Sequence, residues 1–183
     1  MKARRVKGLD PVAPLAGNAA KIVRVRLDEL TSFMPKASDP KEVVALHDMR
    51  IAAKRLRYVL EVTGSCFGPY AASSVKLVKE LQDLLGEIHD CDVQIPAIGE
   101  FAERLLAEDA AALHAAGDGD PKRAPHAREH AGVALLQAHL RARRLALFDE
   151  FLELWGSYER KGFRARLEYA VSERADVHNS GRG

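Results

Sequence analysis

An all-α, antiparallel helical bundle is the fold class this sequence predicts, and three observations carry it. Apolar residues recur at helical spacing through most of the 183 residues. No stretch shows strand alternation or a hairpin signal. Alanine, leucine and arginine dominate, while aromatic residues make up only 6%.

The bulk composition sets bounds before any motif is read. With 47% hydrophobic and 30% charged residues, the chain can bury a core, and its length fits one domain. A net charge of +2 does not by itself imply nucleic acid or an anionic membrane, so an anion site has to come from local clustering. Cys66 and Cys91 form no CxxC pair and no disulfide framework, which suits a reduced, cytoplasmic protein. No apolar run approaches the ~20 residues of a membrane span.

Taken in order, residues 1–16 read as a flexible basic leader without the apolar core of a secretion signal. A first helix is expected from Asn18, as N-cap, to about residue 33. Ile22, Val23, Leu27 and Leu30 form its apolar set. Met34-Pro35 ends it, since the residue before proline avoids the α region. Ser38-Asp39-Pro40 starts a second helix, with Gly64 as its left-handed stop.

A third helix spans roughly residues 70 to 90, with Val75, Val78, Leu81, Leu85 and Ile88 inward. Pro96 predicts a break or kink before a fourth helix over about residues 98 to 116. Residues 117–125 are the clearest loop. A long helix then covers about residues 126 to 155, with Val133, Leu136, Leu140, Leu147, Phe151 and Leu154 as its stripe. Gly156-Ser157 punctuates it, and an amphipathic piece follows over about residues 158 to 175. The domain reading is a single helical domain over residues 17–176, with residues 177–183 as a flexible tail.

The second helix concentrates the chemistry. With His47 at zero on a helical wheel, Arg57, Arg50 and Lys54 fall at about 280°, 300° and 340°. They form one cationic stripe, closed by Glu61. Leu46, Met49, Ala53, Leu56 and Leu60 make a broad apolar face on one side. Val44, Ile51, Tyr58 and Val62 make a second apolar row on the other. A solvated helix needs one apolar face, so two predict a groove whose floor is the basic stripe and whose walls are neighbouring elements. Glu61, Asp83, Asp90 and Asp92 are the candidate neutralising carboxylates. On the third helix, Lys76 and Lys79 share a face with Asp83 and could border the same groove. Arginine forks and ammoniums at such intervals suit a polyanion with repeating phosphates. Against this stands the ordinary reading of a basic stripe, a solvated face paired at i±4.

HDMRIAAKRLRYVLE followed by LVKELQDLLGEIHDCDV resembles the CHAD family, the conserved histidine α-helical domains. His47, Arg50, Lys54, Arg55 and Arg57 match its histidine-led basic motif. Leu81, Gln82, Leu85, Gly86, Asp90 and Asp92 match its second signature. The resemblance implies an all-helical, non-catalytic module binding inorganic polyphosphate through basic residues. His47, Arg50, Lys54, Arg55 and Arg57 stand at the centre of that site and Lys76 and Lys79 on its flank. Lys21, Arg24, Arg143 and Arg144 are additional candidate anion contacts. No cofactor is expected beyond a divalent cation accompanying the polyphosphate. The resemblance also implies a location at polyphosphate granules. The family carries two copies of the histidine-led repeat and this chain carries one, which predicts a homodimer that rebuilds the two-repeat domain.

Three other chemistries compete. His47, His89 and Asp90 loosely imitate the ligands of metal-dependent HD-type phosphohydrolases. His126-Ala-Arg-Glu129-His130 spells the HxxEH order of inverted zinc peptidases, without a clear third ligand. A nucleic-acid or protein interaction domain would also use a basic stripe, but Tyr58 is the only ring in the basic helix on which a base could stack. No GxSxG or GxxxxGK motif supplies a nucleophile or phosphate loop.

Overall fold

The computed structural model describes the backbone of residues 2–117 and 119–179, with side chains up to Glu173. Six α-helices occur among the described residues and no strand does, so the chain is all-α. They are α1 (Leu15–Thr31), α2 (Met34–Ala37), α3 (Val43–Thr63), α4 (Pro69–Ala116), α5 (Glu129–Arg160) and α6 (Phe163–Asn179). The chain groups into two compact units, one of residues 1–86 with 148–183 and one of residues 87–147.

In the first unit α1 packs on α3 and on α6. Val23, Leu27 and Leu30 of α1 are fully buried, as are Leu46, Met49, Leu56 and Leu60 of α3. Leu81 and Leu85 of α4, Phe151 of α5 and Leu167 of α6 complete that core. The broad apolar face expected on α3 is therefore the face it buries.

Several boundaries differ from the expectation, each for a local reason. Asn18 does not cap α1, which starts earlier, after Pro14. Its amide instead clamps the preceding turn, accepting from the Asp10 N–H (3.0 Å) and donating to the Asp10 carbonyl (2.6 Å). The basic leader is also tied down. The Arg4 N–H reaches Glu29 (3.2 Å), and Lys21 donates to the Gly8 carbonyl (2.5 Å). Pro35 opens the one-turn α2 rather than ending a helix. Gly64 is right-handed, not left-handed, and carries α3 into a 3₁₀ turn over Gly64–Cys66. Extended Phe67 is what stops it, and Pro69 begins α4.

Pro96 does not break the chain, because α4 runs through it without interruption. An interior proline removes one i→i−4 bond and costs about 3 kcal/mol. A helix of 48 residues flanked by strong helix formers absorbs that loss. Gly156 likewise lies inside α5; the real stop is Gly162, whose φ of +63° only glycine adopts without strain. Gly117, at φ +62°, ends α4 in the same way and opens the expected loop. Of the expected tail, the backbone of α6 reaches Asn179 and residues 180–183 lie outside the described residues.

The second unit is built from the end of α4 and the start of α5. Ile88, Cys91, Leu105, Leu140 and Leu147 are buried there, while Val133 is half-buried and Leu136 exposed. Burial pushes the Cys91 thiol above its ordinary range, so it is a packed apolar residue. Two ion pairs brace this unit, Arg144 to Asp92 (2.7 Å, both largely buried) and Arg143 to Glu87 (2.6 Å).

Candidate functional site: the cationic face of α3

α3 is helical because Ala, Leu, Met and Arg fill it, and it is oriented by burying Leu46, Met49, Ala53, Leu56 and Leu60. That leaves the His47, Arg50, Lys54 and Arg57 row away from the core. His47 and Arg50 are half-buried, and Lys54 is exposed. α4 supplies the neighbouring surface. Nε of Arg50 lies 3.5 Å from the point where a Cβ on Gly86 would stand.

Arg50 and Gly86 are equally far from the turn at Gly68, so the two helices run antiparallel. With a common rise per residue, Lys54 comes level with Gln82, and Arg57 with Lys79. Lys79, Gln82 and Asp83 fall on the same side of α4 as Gly86, within about 100° of one another. Lys76 and Lys79 are both exposed.

Two guanidinium nitrogens on this face are buried without a hydrogen-bond acceptor, Nε of Arg50 and Nε of Arg57. The Glu61 carboxylate stands 3.2 Å from the Arg57 Nε, close enough for charge attraction but out of line for the N–H. Tyr58 lies between two cations. The Arg57 guanidinium sits 4.7 Å and the Lys54 ammonium 5.7 Å from its ring centroid. Exposed Lys54, Lys76 and Lys79 beside half-buried Arg50 and Arg57 form a positively charged surface that would take up an anion.

The expected walls are not there. Val44 is 73% exposed, Tyr58 46% and Val62 77%, with Ile51 half-buried between them. Among the described residues no element covers that second apolar row, so the cationic row lies on an open face.

The family model of the CHAD domain matches residues 3–99. The chain belongs to the CHAD family. The match begins before the two signatures, taking in α1 and α2 as well as the basic helix. No curated protein and no solved structure matched the chain. CHAD domains are polyphosphate-binding modules.

The motif residues of this CHAD domain do not all face one way. Arg55 turns from the stripe and donates to Glu29 of α1 at 3.0 Å. Glu29 is only 1% exposed, and it also accepts from Arg26 (2.5 Å) and the Arg4 N–H. This buried carboxylate is absent from the expected set; its one local sequence signal is Arg26, three residues before it on the same helix. The four additional cations are also engaged. Lys21 holds the Gly8 carbonyl, Arg24 donates to Ser172 (2.6 Å), and Arg143 and Arg144 pair with Glu87 and Asp92. Asp92 is thereby committed within its own unit.

The HxxEH segment holds carboxylates. His126 meets Glu108 (3.0 Å) and His130 meets Asp109 (2.7 Å), while Glu129 is exposed. Burial pushes the Asp109 carboxyl up, but hydrogen bonds from His130 and the His126 N–H, with both imidazoles nearby, leave it below the ordinary range. Among the described residues, no group of three or more His, Cys, Asp or Glu is placed to hold a metal ion. No described helix is long and apolar enough to cross a membrane.

Proposed function

We propose that the chain binds inorganic polyphosphate, without turning it over, along the open cationic face of α3 continued by Lys76 and Lys79 of α4. The observation that carries this reading is the row of Arg50 and Arg57, both half-buried, and exposed Lys54 on one open face, with exposed Lys76 and Lys79 on the neighbouring helix. Beyond the buried Nε–H, the remaining N–H groups of each guanidinium are the donors an anion on the face would meet. Lys54 adds an exposed ammonium between them, and Lys79 lies level with Arg57. Such a row of donors matches successive phosphates better than one phosphate ion. Arg50→Ala combined with Lys54→Ala should weaken polyphosphate binding by about 2–4 kcal/mol. Unchanged affinity in a folded double variant would remove the site.

The reading includes a second copy of the chain. The exposed row of Val44, Tyr58 and Val62 offers apolar surface beside the cations. A partner laid on it would wall the open face and supply a second histidine-led helix. Light scattering with and without long-chain polyphosphate tests this. A strict monomer in both states, binding tightly, would overturn the dimer. Any divalent cation would arrive with the anion, and metal analysis of purified protein should find no resident ion. The setting proposed is the cytoplasm, at polyphosphate granules, which imaging of a tagged chain checks; a signal independent of the granules would contradict it.

A further inference from the structure

A concave site lies in the first unit and shares no residue with the cationic face. It is a cleft of about 420 Å³, opening where α5 turns through Gly162 into α6. That volume is within the range of small-molecule sites. Trp155, Tyr158 and Phe163 line its floor, all largely buried. The polar ends of two of these rings are already satisfied. Tyr158 donates to the Leu77 carbonyl (2.8 Å) and bonds Glu80 (3.0 Å), and Trp155 Nε1 donates to Glu159 (2.9 Å). The floor therefore offers ring carbon and no unmet donor.

The rim is acidic. Glu159 and Glu168 both line the cleft. Its one cation, Arg164, is shared: Nε donates to Glu168 (2.9 Å), Nη1 to Thr31 (3.0 Å), and Nη2 bonds Asp28. Two carboxylates, Glu168 and Asp28, thus share one guanidinium, and no cation among the described residues pairs with Glu159. An anionic ligand would meet repulsion here. A neutral apolar ligand would desolvate Glu159 with nothing in exchange. A bare metal ion would face a hydrocarbon floor.

We infer that this cleft binds a small organic cation of the alkylamine class, a diamine or polyamine, with its methylenes on the three rings and its ammonium on Glu159 and Glu168. The site is independent of the polyphosphate reading, so either can fail alone.

Trp155 is the only tryptophan in the chain, so its fluorescence reports on the cleft directly. The full chain is titrated with spermidine, and in parallel with 1-butanol and with sodium butyrate at matched ionic strength. Spermidine should give a saturable change, and butyrate none. Glu159→Gln keeps an acceptor for the Trp155 N–H while removing the charge. It should weaken spermidine binding about five- to tenfold with unchanged far-ultraviolet circular dichroism of the free protein. An absent or non-saturating response to spermidine, butanol binding as tightly, or a Glu159→Gln variant that binds like the parent would each overturn the assignment.

Discussion

Arg50 of α3 lies directly against Gly86 of α4, its Nε 3.5 Å from the position a Cβ on that glycine would take. The guanidinium base is thereby sunk between two helices, and its N–H is left without an acceptor. Because 3.5 Å is ordinary contact, a single methyl fits. Gly86→Ala should keep Arg50 in place and stabilise the fold by about 0.5–1 kcal/mol, as an interior helix glycine is replaced. Gly86→Leu has no such room and should displace Arg50, lowering polyphosphate affinity. Denaturant melts with binding titrations check both. An alanine variant less stable than the parent would contradict the packing described.

Arg55 belongs to the same motif as Arg50 but has a different task. It helps neutralise Glu29, which is otherwise sealed from water. Arg55→Ala should cost about 3 kcal/mol of stability, at the low end for a broken buried pair because Arg26 remains. Binding measured on the folded fraction should change less than for Arg50→Ala. The reverse pattern, full stability with lost binding, would return Arg55 to the site.

Asp109 anchors the start of α5 to α4. Its carboxyl is held below the ordinary range in the folded state, so it contributes stability above its unfolded pKa near 4, lost as pH falls through the lower folded value. Hydrogen exchange at the His126 N–H, which donates to Asp109 at 2.9 Å, should accelerate relative to its neighbours below about pH 4. Asp109→Asn should abolish that pH step. A step that persists in the variant would assign it elsewhere.

What could be read in the sequence was whatever depends on local spacing. The buried face of α3, the row of His47, Arg50, Lys54 and Arg57, and the loop after Gly117 follow from a period of 3.6 and from turn chemistry. Pro96 and Gly156 misled because a breaker acts against the sum of its neighbours, and long helices outvote one lost bond. Two of the partners of Glu29 were invisible because Arg4 and Arg55 reach it from distant places in the chain, whereas Arg26 lies only three residues away on the same helix. The second apolar row was read correctly as apolar and wrongly as covered. A helical wheel says which residues share a face, but not whether another element lies against it.

The central claim is that the α3 face is an anion site whose affinity comes from its cations. Its most direct test is titration of the full chain with long-chain polyphosphate at low and at physiological salt, with oligomeric state followed in the same samples. The account predicts tight binding at low salt, a steep fall in affinity as salt rises, and a smaller salt dependence in the Arg50→Ala, Lys54→Ala variant, which makes fewer phosphate contacts. Undetectable binding at low salt, or affinity and salt dependence identical in parent and variant, would contradict it.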